Sequence, residues 1–114
     1  MPPKKNQLKL NTLQLKTLTL LQELARHPET STANGETGEI LITQIPAPHG
    51  DHFHVGSAVV LSSDANGLKN EGVWKALERK GLAKASFPYA ITLTGEGVAY
   101  DTGLSGKILH QTDH

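Results

Sequence analysis

Apolar residues recur at helical spacing between residues 11 and 26 and predict a long first helix. Asn11 and Gln14 form a capping box at its start, in which each side chain satisfies a backbone amide of the other residue. The helix ends before Pro28, because the residue preceding a proline disfavours helical backbone angles. The apolar stripe consists of Leu13, Leu18, Leu20, Leu21, Leu24 and Ala25, and the residues predicted to face away are Thr12, Lys16, Thr19, Gln22, Glu23 and Arg26. We expect the stripe to pack in the core, and a dimer seam is the alternative.

A shorter amphipathic helix is predicted from about Glu71 onward. Asn70 can cap its first turn, and the Glu71 carboxylate lies near the positive end of the helix dipole. The apolar face carries Val73, Trp74 and Leu77, and the opposite face carries Lys75, Glu78 and Arg79. Gly81 supplies the left-handed conformation that ends a helix, and Leu82 can fold back onto the last turn. We expect Trp74 to lie in the core, and stacking on a base or anchoring a protein partner are the alternatives.

A tight hairpin and a final helical turn follow this helix. Residues 83–86 and 89–93 are short extended runs separated by Phe87 and Pro88. Their alternation predicts that Tyr89, Ile91 and Leu93 share one face. Thr94 can then cap one or two helical turns that reach Tyr100, with Val98 and Tyr100 as apolar surface.

The segment between the two helices predicts a loop followed by a hairpin. Residues 29–38 have turn composition, including Asn34-Gly35, and we expect a mobile surface loop there. Residues 39–45 are apolar and β-branched enough for a strand, which Pro46 halts. Its partner strand is predicted to begin at Asp51 or His52 and to run as far as Leu61.

The order of elements in residues 67–93, GLKNEGVWKALERKGLAKASFPYAITL, carries a family resemblance. A Gly-Leu turn, a basic amphipathic helix, a Gly-Leu stop and a hairpin ending in Leu-Thr-Gly resemble the second half of a winged helix-turn-helix domain of bacterial transcription regulators. The resemblance implies an α+β fold with a long N-terminal helix, an inserted β-hairpin, a short recognition helix, a wing hairpin and a short C-terminal helix. The domain is predicted to span residues 11–102, after a basic flexible arm (1–10) and before a polar tail (103–114).

The stretch between the two helices is long for this family, which normally has one strand and a second helix there. Two alternatives accommodate residues 28–66. Either the strand has become a hairpin followed by a degraded second helix within residues 56–66, or residues 55–61 are all strand and no second helix exists. Val59 and Val60 favour the strand, since both are β-branched. Loss of the second helix would weaken ordinary major-groove docking, because that helix braces the recognition helix.

Composition restricts the classes of protein. The chain has 114 residues, which is typical of one domain, and it has no cysteine and no apolar run long enough to span a membrane. We expect a soluble cytoplasmic protein. The formal net charge is zero, but residues 1–26 carry five bases and one acid, and residues 66–84 carry five bases and two acids. Residues 27–65 carry five acids and no base. The bases therefore lie in the two segments that a winged helix brings near DNA, and ordinary solvated helix faces are the alternative explanation.

The resemblance implies double-stranded DNA as the partner and assigns contacts residue by residue. Lys69, Asn70, Lys75 and Arg79 are predicted to lie nearest the groove, with Lys84 on the wing touching the DNA backbone. Asn70 and Arg79 can form hydrogen bonds with base edges, whereas the lysines suit phosphates. The alternative is a protein interaction module, a homodimer or an assembly subunit.

A histidine cluster is the one candidate for chemistry. His52 and His54 share a face if they lie on a strand, and with His49 or Asp51 they could bind zinc, nickel or copper. Such a site would make the hairpin a metal or proton sensor. A solvent-facing strand with a polar turn is the alternative.

Enzyme families with similar histidine strings fail on the sequence. Histidine-triad hydrolases need a third alternating histidine, where this chain has Gly56. Cupins need a glutamate shortly after a His-x-His pair, but residues 55–63 contain no carboxylate. The chain also lacks a phosphate loop, a G-x-S-x-G elbow and a paired-carboxylate motif. We therefore expect a protein that is not an enzyme and has no cofactor, with a divalent metal as the alternative.

Overall fold

The computed structural model describes residues 8–46, 51–56 and 58–111 and has an α+β fold with two antiparallel sheets. The elements in chain order are α1 (Thr12–Ala25), β1 (Ser31–Ala33), β2 (Ile40–Ile42), β3 (His52–Val55), β4 (Ala58–Leu61), two 3₁₀ helices (Ser62–Asp64 and Asn66–Lys69), α2 (Glu71–Arg79), β5 (Ala83–Ser86), β6 (Ala90–Leu93), α3 (Gly95–Ala99), α4 (Ser105–Ile108) and β7 (His110–Gln111). Within these ranges, no helix is long and apolar enough to cross a membrane.

The first helix begins as its capping box predicts. The Gln14 backbone N–H donates to Asn11 Oδ1 at 2.8 Å, and the Asn11 backbone N–H donates to Gln14 Oε1 at 3.0 Å. The leucines at positions 18, 20, 21 and 24 are buried within the chain itself, in a core that both helices and both sheets share. This confirms core packing of the stripe.

Two residues predicted to face away from the α1 stripe are buried. Thr19 Oγ1 donates to Leu15 O at 2.8 Å and also bonds Thr102 Oγ1 at 2.6 Å. Glu23 is paired with His27. The prediction was wrong here because α1 is covered on several sides, by the sheet of β2, by α2 and by α3. A helix enclosed in this way buries polar residues outside its apolar stripe, provided that they find partners.

The larger sheet has the strand order β1-β2-β6-β5, and the smaller sheet has the order β3-β4-β7. Within the larger sheet, Ile42 on β2 lies opposite Ile91 on β6, and both side chains are fully buried. The strand that follows α1 is thus joined directly to the hairpin that follows α2.

The predicted hairpin between residues 39–45 and the strand after Asp51 is wrong. β2 pairs instead with β1 and β6, and β3 pairs with β4. The physical reason is the turn at Asn34, which was predicted as a mobile loop. Asn34 Oδ1 accepts from the Glu36 N–H, Asn34 O accepts from the Gly38 N–H, and Gly38 adopts a φ of 77°. These local bonds close a hairpin of β1 and β2. One edge of β2 is therefore already paired with the strand that precedes it in the chain.

The stretch from β4 to α2 combines features of both predicted alternatives. Residues 58–61 are strand, and two 3₁₀ helices stand where a second α-helix would lie. Leu68 is 1% exposed and fixes the second of these turns to the core. Gly67 packs directly on α1, since a Cβ atom at this position would lie 1.7 Å from Thr17 Oγ1.

The C-terminal region departs from the predicted polar tail. Residues 105–108 form α4, Ile108 is buried, and His110 on β7 pairs with Val59 on β4. The Gly and Ser content suggested a tail, but Ile108 supplies an apolar anchor. Thr94 caps α3 as predicted, accepting from the Gly97 N–H. Val98 is 37% exposed, while the Tyr100 hydroxyl accepts from the Leu8 N–H at 3.0 Å.

Candidate nucleic-acid interface

Local hydrogen bonds set both ends of α2. Asn70 Oδ1 accepts from the Val73 N–H at 3.3 Å, which satisfies a free amide of the first turn. At the other end Gly81 has a φ of 78°, and the Leu82 N–H donates to Leu77 O at 3.0 Å. The predicted cap and the predicted glycine stop are therefore confirmed, and they fix where α2 begins and ends.

The inner face of α2 is core. Val73, Trp74 and Leu77 are all buried, and Trp74 is fully so. The Trp74 ring meets Phe87 edge to face, with ring centroids 4.8 Å apart and planes at 83°. Its Nε1 atom is buried and has no hydrogen-bond acceptor within the part of the chain that the structure describes. The prediction of Trp74 as a core residue is confirmed.

The outer face of α2 is polar and mostly basic. Lys75, Glu78, Arg79 and Lys80 are exposed. Lys75 Nζ lies 3.4 Å from Glu71 Oε2, and both side chains are more than half exposed. A pair this open to water holds its lysine weakly. Lys75 can therefore leave Glu71 and bind a partner with little loss of free energy.

The hairpin of β5 and β6 differs from the expected wing in its charge. Lys84 Nζ forms an ion pair with Glu39 Oε2 at 2.6 Å, across the sheet from β5. The Lys84 charge is thereby offset by an acid of the same domain. The tip of the hairpin, formed by Phe87, Pro88 and Tyr89, carries no charged side chain.

The alternation predicted that Tyr89 shares a face with Ile91 and Leu93, and this prediction is wrong. It is 81% exposed, whereas Ile91 and Leu93 are fully buried. The reason is that β6 begins only at Ala90, and the Tyr89 N–H donates to Ser86 O at 2.9 Å within the turn. Tyr89 is thus a turn residue, to which strand alternation does not apply.

The five predicted DNA contacts occupy different local settings. Lys69 ends the second 3₁₀ helix, Lys75 and Arg79 lie on the outer face of α2, and Lys84 lies on β5. Asn70 uses its side-chain oxygen to cap α2. Lys80, which the predicted set left out, is also exposed, and its place at the end of the basic face was visible in the sequence.

The histidine cluster is only partly described. His52 and His54 lie on one face of β3, and their ring centroids are 5.0 Å apart. The third predicted ligand, His49, lies outside the described residues. Among the residues that are described, no group of three or more His, Asp or Glu side chains is placed to hold a metal ion.

A buried acid paired with a histidine, which the sequence did not suggest, lies under the β3–β4 turn. His27 Nε2 lies 2.8 Å from Glu23 Oε2, and the Glu23 side chain is 7% exposed. Gly56 has a φ of 58° and packs on this pair, since a Cβ atom there would lie 2.5 Å from His27 Cδ2. His27, His54 and Gly56 line one cavity of about 260 Å³.

Exposed bases outnumber acids around α2. Their immediate acidic neighbours, Glu71, Glu78 and Glu39, are fewer than the bases, which are Lys69, Lys75, Arg79, Lys80 and Lys84. This arrangement favours an anionic partner. No family model, no curated protein and no solved structure gives a significant match to this chain.

Proposed function

We propose that this chain is a non-enzymatic DNA-binding protein of the winged-helix type and acts as a transcription regulator. One observation carries the proposal: the amphipathic α2, basic on its exposed face, is followed directly by the β5–β6 hairpin. The pairing of β2 with β6 supports it, because this pairing places the strand after α1 beside the hairpin that would be the wing. Double-stranded DNA is the partner.

The bases on α2 and next to its ends provide most of the affinity for DNA in this proposal. Lys69, Lys75 and Lys80 contact phosphates, since an ammonium group acts as a point charge without base preference. Arg79 also contacts a phosphate in this proposal, and it is the only one of these four bases whose side chain can donate two parallel hydrogen bonds to a guanine within reach. Asn70 has a smaller role than the sequence suggested, since its side-chain oxygen already accepts the Val73 N–H.

The proposed docking differs from that of a complete helix-turn-helix. Two 3₁₀ helices precede α2 in place of the usual second helix. In this proposal the two 3₁₀ helices add few contacts with the DNA backbone beyond those of α2. The wing adds little charge, because Lys84 is paired with Glu39. We therefore expect phosphate contacts to dominate and sequence preference to be weak.

DNA affinity is expected to fall steeply with salt. Four phosphate contacts, from Lys69, Lys75, Arg79 and Lys80, predict a slope of about −3.6 in log affinity against log salt, or roughly 100-fold between about 50 and 200 mM. Fluorescence titration of a labelled mixed-sequence duplex measures this slope. Arg79→Ala should reduce its magnitude by about 0.9.

Lys107→Ala is the matched control for this titration. Lys107 is an exposed base on α4, an element outside the proposed interface, and its removal should leave the slope unchanged. Undetectable binding at low salt, or equal effects of Arg79→Ala and Lys107→Ala, would show that the α2 face is not the DNA contact.

Binding of a protein partner by the same fold is the second candidate function. It is favoured by two exposed apolar side chains on the larger sheet and its hairpin, Leu41 at 39% and Tyr89 at 81% exposure. Sedimentation of the isolated chain separates the two candidates. A monomer that binds DNA supports the regulator, and a stable dimer without DNA affinity supports the interaction module.

A further inference from the structure

A cavity of about 290 Å³ lies between the hairpin tip and the 3₁₀ turn that precedes α2. The lining residues that matter are Gln44, Leu68, Lys69, Phe87, Pro88 and Tyr89. The volume is near the lower end of the range for ligand sites, about 300–1,000 Å³. The cavity is therefore of a size for a single small group.

The lining of the cavity selects a flat ligand with a negative charge. Tyr89 presents an aromatic ring that is 81% exposed, while Leu68 and Phe87 provide an apolar floor. Among the described residues of the lining, Lys69 is the one charged side chain, and no acid stands against it. A nucleobase with its phosphate has both properties, since the base stacks on an aromatic ring and the phosphate pairs with an ammonium group.

The position of the cavity connects it with the proposed DNA surface. Lys69 is the last residue of the second 3₁₀ helix, and Asn70 after it caps α2. A DNA strand that contacts the outer face of α2 can thus continue past Lys69 to the hairpin tip. The tip has no basic side chain for a phosphate, so stacking is the interaction that it can offer.

We propose that this cavity binds an unpaired nucleobase of a DNA strand, with the base stacked on Tyr89 and its phosphate at Lys69. This inference rests on the proposed DNA-binding function and deepens it. The preferred ligand is then a duplex with a single-stranded extension, because α2 contacts the paired part and the cavity holds the first unpaired base.

Trp74 provides the signal for the test. It is the only tryptophan in the chain and contacts Phe87, which lines the cavity. Its emission is measured during titration with three DNAs of one sequence: a blunt duplex, the same duplex with a short thymidine overhang, and the single strand. A labelled DNA gives the affinity independently.

The overhang duplex is expected to bind about tenfold more tightly than the blunt duplex and to change the Trp74 emission. Tyr89→Ala should abolish the difference, whereas Tyr89→Phe, which keeps the ring, should retain it. Lys69→Gln should reduce affinity for the overhang duplex, and the matched Lys107→Gln should not. Circular dichroism of each variant confirms that it is folded.

Four outcomes would overturn the inference. Equal affinity for blunt and overhang duplexes removes the cavity as a base site but leaves the proposed function standing. A preference for the overhang that persists in Tyr89→Ala assigns it to another surface. Absence of binding to all three DNAs overturns both proposals, and a concentration-dependent Trp74 emission without DNA would assign the cavity to a second copy of the chain.

Discussion

Replacing Trp74 by alanine is expected to lower the free energy of unfolding by about 3–5 kcal/mol. Trp74 is fully buried and packs edge to face on Phe87, so the truncated side chain leaves a large cavity between α2 and the hairpin. A domain of this size is typically stable by only about 5–15 kcal/mol. Urea denaturation followed by far-ultraviolet circular dichroism measures the loss without needing the tryptophan signal.

Two further substitutions serve as comparisons for Trp74→Ala. Trp74→Phe should cost much less than Trp74→Ala, because it keeps a ring beside Phe87 and removes an indole N–H that has no acceptor in the described structure. Lys75→Ala, the exposed neighbour, should change stability by less than about 0.5 kcal/mol. Similar stability of Trp74→Ala and Lys75→Ala would show that Trp74 is not a core residue.

Gly97→Ala is expected to destabilise the domain by about 1–3 kcal/mol or more. A Cβ atom at Gly97 would lie 2.0 Å from the Leu82 carbonyl oxygen. That oxygen also accepts the Thr94 N–H at 3.1 Å, and Leu82 itself is fully buried, so the backbone has little freedom to move away. The expected loss opposes helix propensity, which favours alanine over glycine by about 1 kcal/mol.

Gly95→Ala is the matched control in the same helix. A Cβ atom at Gly95 meets nothing within 4 Å, so alanine there should be neutral or stabilise by up to about 1 kcal/mol. Thermal unfolding of both variants gives the comparison. A stability of Gly97→Ala equal to that of Gly95→Ala would contradict the close approach of α3 to Leu82.

The parts of the fold that the sequence predicted correctly depend on neighbouring residues. Asn11 with Gln14, Asn70 and Gly81 act over one helical turn, and their backbone partners are fixed by chain geometry alone. β2 pairs with β1 through the local turn at Asn34, but its other neighbour is β6, about fifty residues later in the chain. No local pattern distinguishes that partner from β3, and so the hairpin was predicted in the wrong place.

In the candidate site, too, the local features were predictable from the sequence and the contacts between distant residues were not. The exposed bases of α2 follow from helical spacing, and the structure places them on one outer face. The ion pair of Lys84 on β5 with Glu39, the residue before β2, joins positions that are far apart in sequence, so the acidic partner of this wing lysine was not visible. The cavity beside Tyr89 likewise requires three separate segments and has no signature in any one of them.

The contacts between α1 and the C-terminal region have a consequence for synthesis of the protein. Gln22 donates to the carbonyl oxygens of Gly97 and Tyr100, and Thr19 bonds Thr102. On a translating ribosome these partners emerge later than α1, by the 75 to 83 residues that separate the bonded pairs. The face of α1 that carries Thr19 and Gln22 therefore stays without its native cover until residue 102 has left the ribosome, and in that interval the nascent chain exposes surface that the folded domain buries.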